Sequence, residues 1–222
     1  MKRIAFTLAE VLITLGIIGI VAAMTIPNLI TEHQKRTTVT KLERAISVIN
    51  QAYKLSYDDV GEPNAETSAA MGSKEYFSAY WAPYIKVLTY CSSPSICGYK
   101  DNKPWIGTNG SDYTMHIVYG DWRTAFLTMD GILYIILVSS GDTITDRRVY
   151  VDINGGAKPN RYGKDVFILS RVEKDGGGIQ PYGFDKSDDV IIKNCSKNGL
   201  GEYCAERIRR AGWEIDKSYP WK

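Results

Sequence analysis

Histidine is nearly absent from this chain of 222 residues: His33 and His116 are its only two. The four cysteines show no CxxC spacing, so a zinc or dithiol redox centre is disfavoured. Charge of one sign is lacking too. Lys and Arg number 27 against 25 Asp and Glu, and nothing in that balance points to a nucleic acid or polyanion partner. No GxSxG, HExxH, GxGxxG or P-loop pattern occurs, and the chain reads as a non-enzyme. His116 reads as structural rather than as a general base. No internal repeat or disordered linker is evident. Apolar residues make up 44% and charged residues 23%, close to the globular average, which excludes a disordered tail, a collagen and a polytopic membrane protein.

What is present is concentrated at the front. Met1-Lys2-Arg3 is basic, and from Ile4 to Ile30 the chain is almost wholly apolar, interrupted by Thr7, Glu10, Thr14, Thr25 and Asn28. As a helix this run would be about 40 Å long, enough to cross a hydrocarbon core of about 30 Å. The leading Lys2 and Arg3 favour a cytoplasmic N-terminus. An uncleaved signal anchor, a signal peptide cut near Val21-Ala22-Ala23, and a buried core helix are three ordinary readings. Glu10 argues against all of them. A carboxylate in an apolar segment costs roughly 2.5–3.5 kcal/mol on insertion scales and is by default a functional residue awaiting a partner.

Lys2-Arg3-Ile4-Ala5 followed by Phe6-Thr7-Leu8-Ala9-Glu10-Val11, and then Leu15-Gly16-Ile17-Ile18-Gly19-Ile20-Val21-Ala22-Ala23 to Pro27, resembles the leader and helix start of type IV pilins and type II secretion pseudopilins. The resemblance covers roughly the first 30 residues. It implies cleavage between Ala5 and Phe6 by a membrane prepilin peptidase, and N-methylation of Phe6. It also implies partners: other pilin-like subunits, an assembly platform protein and an ATPase. Ala5 departs from the family's usual Gly before the cut, and Ala9 replaces a commoner large aliphatic. In this reading Glu10 pairs with the new Phe6 amine, of its own chain or a neighbour, and sets filament register. The chain then divides into a leader (1–5), a transmembrane and filament-core helix (6–30) and an extracytoplasmic globular domain (31–222).

Pro27 lacks an N–H and is expected to kink or locally melt the helix. Beyond Thr31, Val39, Leu42, Ile46, Ile49 and Tyr53 recur at helical spacing, so an amphipathic half-helix is predicted to about Tyr57. Residues 62–73 read as a loop. Lys74–Tyr90 reads as an aromatic-striped helix kinked at Pro83, its stripe belonging to the core. Met115–Tyr119, Arg123–Met129, Ile132–Val138, Val149–Ile153 and Val166–Ser170 read as strands, with a hairpin at Asp130-Gly131. The predicted fold is α+β: a long N-terminal helix packed on an antiparallel sheet of four or five strands.

The cysteines form two close pairs, Cys91 with Cys97 and Cys195 with Cys204, which outside the cytoplasm favours two local disulfides. The second resembles the bridge that staples the C-terminal loop of many pilins. The densest polar motif runs from Asp152 to Phe167 in the form DxNGxxxPNxxGxDxF, and looks like a segment that recurs in pseudopilin-like proteins. Asp152, Asn154, Asn160 and Asp165 offer oxygens for Ca²⁺, though Gly155 comes too early for an EF-hand. The competing reading is a tight loop whose Asx side chains cap its own backbone. Arg207, Arg209 and Arg210 form a basic cluster that reads as a solvated face or a subunit contact. Trp105, Trp122, Trp213 and Trp221 could stack sugars if exposed, and otherwise pack. A secreted binding protein and a membrane-anchored adhesin or enzyme are the rival functional classes.

Overall fold

The computed structural model describes residues 7–61, 71–113, 115, 117, 123–137, 148–172 and 178–221. Contacts divide the chain into two units, Met1–Thr37 and Thr38–Lys222. Helix α1 (Leu8–Val60) contributes to both.

In the first unit, α1 is apolar on every side from Leu8 to Ile30, and its large aliphatic side chains there are exposed. Its 18-residue apolar window is long enough to cross a membrane. Pro27 lies inside α1, which is helical on both sides of it, so the helix does not melt there. Polar side chains on either side fold back onto the helix: Asn28 Nδ2 donates to the Met24 carbonyl (3.4 Å) and Thr31 Oγ1 to the Pro27 carbonyl (2.9 Å). These bonds satisfy the polar atoms of Asn28 and Thr31 within the helix, as an apolar surrounding requires.

In the second unit, α1 continues to Val60, three residues past the predicted end. Gly61 stops it with a φ of 101°, where its N–H reaches the Ser56 carbonyl (3.2 Å). The buried apolar residues of α1 are Val39, Leu42, Ala45, Ile49, Ala52 and Tyr53: four of the five residues of the stripe read from spacing and the two alanines that flank it, with the fifth, Ile46, half-buried.

The sheet has six strands: β1 (Val87–Tyr90), β2 (Arg123–Thr128), β3 (Leu133–Leu137), β4 (Arg148–Asp152), β5 (Val166–Val172) and β6 (Gly178–Pro181). They pair in sequence order, antiparallel throughout. The fold is therefore α+β, with one strand more than the upper expectation. Gly131, at φ 79°, makes the hairpin between β2 and β3, and Thr128 N–H bonds to the Ile132 carbonyl at 3.0 Å.

Both faces of the sheet are covered. Tyr134, Ile136, Val149, Val151, Phe167 and Leu169 face the core shared with α1, while Leu133, Ile135, Tyr150, Val166 and Ile168 face a second core of Cys91, Tyr99, Trp105 and Tyr162. The alternation follows the two-residue period of a strand. Each such aliphatic or aromatic side chain contributes roughly 1.5–3 kcal/mol on full burial.

Lys74–Tyr90 is not one helix. Helix α2 (Ser73–Tyr80) is followed by a 3-10 turn at Ala82–Tyr84 and then by β1. Pro83 has no N–H to continue the helix, and Val87 and Thr89 favour the pleat. Tyr76, Phe77 and Trp81 are buried, as expected of a core stripe. The strand expected at Met115–Tyr119 lies largely outside the described residues. Two further short helices, α3 (Asp188–Asn194) and α4 (Cys204–Arg210), precede the C-terminal segment. On α1, Asn50 acts as a partner for the sheet's last strand: Ile179 N–H donates to its Oδ1 and its Nδ2 donates to the Ile179 carbonyl, both at 2.7 Å.

Candidate functional site

The first candidate lies at the head of α1. Ala5 and Phe6, the expected cleavage and methylation positions, are outside the described residues. Thr7 caps the helix. Its N–H and its Oγ1 both donate to Glu10 Oε2 at 2.8 Å, and Glu10 N–H returns a bond to Thr7 Oγ1 at 3.3 Å. This is a capping box, which satisfies helix N–H groups that have no partner within the helix. The sequence carries the signal for it as Thr7-Leu8-Ala9-Glu10 ahead of an apolar run. Both capping bonds use Oε2, so Oε1 makes no hydrogen bond among the described residues. Thr14 Oγ1 donates to the carbonyls of Glu10 and Val11 (3.0 and 2.9 Å), and Thr25 Oγ1 to that of Val21 (2.9 Å). With Asn28 and Thr31, the polar side chains of the apolar run are satisfied within their own helix, the arrangement a bilayer demands. Glu10 is the exception, satisfied at one oxygen of two.

The second candidate is the Asp152–Phe167 loop, between β4 and β5. It does bring Asp152, Asn154, Asn160 and Asp165 together. Asp152 Oδ2 accepts from Tyr99 Oη (2.7 Å) and Trp105 Nε1 (3.1 Å), and its Oδ1 accepts from Asn154 N–H (3.2 Å). Asp165 Oδ1 accepts from Arg161 N–H (2.6 Å), and Oδ2 from Asn160 N–H (2.8 Å) and Asn154 Nδ2 (3.3 Å). Every carboxylate oxygen is thus taken by a protein donor. Burial raises the Asp152 carboxyl well above its ordinary range, with the neighbouring Asp165 adding to the rise, and burial raises Asp165 as well. Asn154 Oδ1 and Asn160 Oδ1 are buried without a hydrogen-bond partner, so two amide oxygens remain as donors for a cation. Among the described residues no group of three or more His, Cys, Asp or Glu is placed to hold a metal. The arrangement performs backbone capping: Asp165 closes the turn through Asn160, which sits at φ 55°.

The loop also joins distant parts of its unit. Gly156 backs onto Gly98, the residue after Cys97: a Cβ at Gly156 would come 2.0 Å from the Gly98 carbonyl oxygen. Gly163 backs onto Cys204, and its carbonyl accepts from Tyr219 Oη at 2.6 Å. Thr38 Oγ1 on α1 reaches the Lys164 carbonyl at 3.3 Å. Both expected disulfides are formed, Cys91–Cys97 and Cys195–Cys204. The loop therefore lies between the two bridges and touches the surroundings of each. Tyr99, Trp105 and Tyr219 carry this role, and no local pattern in the sequence marks them.

In the Arg207, Arg209 and Arg210 cluster, Arg209 and Arg210 are exposed and Arg207 is buried, and all three are engaged by protein groups. Arg209 and Arg210 both bond Glu206, which is fully buried (Nε contacts of 2.7 and 2.6 Å). Arg210 further bonds Asp188 (2.6 Å), and Arg207 bonds the Cys195 carbonyl (2.6 Å) and Ser218 Oγ (2.5 Å). Arg207 holds the C-terminal segment against α4, while Arg210 ties α4 to the start of α3. Trp105 and Trp221 are buried and Trp213 packs on the core, so none of the three is a sugar platform, while Trp122 lies outside the described residues. His116 lies outside them as well. No family model, curated protein or solved structure matches this chain.

Proposed function

We propose that this chain is a pilin-like structural subunit. A prepilin peptidase cuts it between Ala5 and Phe6 and methylates Phe6, and it assembles into a type II secretion pseudopilus or a type IV pilus. The observation that carries the reading is Glu10: an acid at the head of an exposed apolar helix, with Oε2 held by Thr7 and Oε1 without a hydrogen bond among the described residues. Cleavage before Phe6 creates a cationic α-amine close by in sequence. An opposite charge at about 4 Å is worth about 4 kcal/mol at an effective dielectric near 20. Left unpaired in an apolar filament interior, the carboxylate would cost several kcal/mol, so pairing selects one register between neighbouring helices.

The apolar half of α1 serves first as a single membrane anchor and then as filament core. Two disulfides fit a domain outside the cytoplasm. Loss of Lys2 and Arg3 leaves 25 basic against 25 acidic residues, so subunits stack without net repulsion. Of the two machines, the resemblance of the Asp152–Phe167 loop favours the pseudopilus. Sibling subunits, the platform protein and its ATPase are the partners this reading calls for.

Replacement of Glu10 tests it. In native membranes Glu10→Ala is expected to insert normally, since it removes a costly acid, but to yield no chemically cross-linked ladder of subunits. A full ladder from Glu10→Ala would remove the assembly role and favour a secreted or anchored binding protein.

A further inference from the structure

We draw no further inference here: the strongest candidate, the open groove of about 360 Å³ between the α1 face at Arg44, Val48 and Leu55 and the β2–β3 turn at Met129 and Asp130, is an apolar surface for which nothing in the structure shows what covers it.

Discussion

Gly163 and Cys204 meet with no room for a side chain between them. A Cβ on Gly163 would lie 2.7 Å from Cys204 Sγ and 3.0 Å from Tyr219 Oη. The glycine of the PNxxG segment is thus the point where the loop rests on the C-terminal disulfide. Its φ of 76° adds a second reason for glycine.

Gly163→Ala should accordingly lose on the order of 2–4 kcal/mol, from overpacking and backbone strain together. Gly110 is the control, because it has a similar φ of 82° but nothing within 4 Å of a Cβ. Gly110→Ala should lose only the backbone part, about 1 kcal/mol. Urea unfolding of the full chain in detergent measures both. Equal losses at the two positions would mean that contact with the disulfide does not matter.

Asp165 holds two backbone N–H groups and one amide, so Asp165→Ala takes an acceptor from each of them. A loss of about 3 kcal/mol is expected. Because the carboxylate oxygens of Asp152 and Asp165 already have protein donors, the wild-type chain should melt at one temperature in millimolar calcium and in excess chelator. A rise in melting temperature that follows calcium concentration would instead assign the two buried amide oxygens to a bound ion.

Acid should weaken the link between α1 and the β2–β3 turn. Desolvation pushes the Asp130 carboxyl up, but Thr128 Oγ1 (2.6 Å) and Arg44 Nε (2.7 Å) outweigh it and hold the group below its ordinary value. A depressed folded value contributes stability that is present above the unfolded carboxylate value of about 3.9 and fades as pH falls through the folded one. The pair is partly exposed, so the effect is small. Wild type should exceed Asp130→Asn in stability at neutral pH, and the gap should close on acidification below about pH 4. Titration of both chains in urea between neutral and acid pH reads this directly, and a gap that stays constant would discount the Arg44 contact.

Much of the fold was legible because it rests on periodicity. The stripe Val39, Leu42, Ile46, Ile49 and Tyr53 predicts a buried helix face, and four of the five are buried while Ile46 is half-buried against the same core. The Asp130-Gly131 turn and the strands around it follow from turn chemistry and alternation. In Lys74–Tyr90 the residues Tyr76, Phe77, Tyr80, Trp81 and Tyr84 continue a helical spacing up to and past Pro83, but the proline ends the helix rather than kinking it, and Val87–Tyr90 pairs as a strand. Strand β6 escaped notice because Gly178-Ile179-Gln180-Pro181 is short, holds a glycine and a proline, and is secured by Asn50 from 129 positions away. The Asp152–Phe167 motif was visible as residues but not as contacts. Tyr99 and Trp105, which fix Asp152, lie 53 and 47 positions distant, beyond any local pattern.

The account turns on what happens before Phe6. The measurement that addresses it is the intact mass and N-terminal sequence of the mature protein from native membranes. A chain that starts at Phe6, heavier by one methyl group, is the predicted result. A start at Met24, or an unprocessed Met1, would contradict it: the first would make α1's apolar run an ordinary export signal, the second a plain anchor.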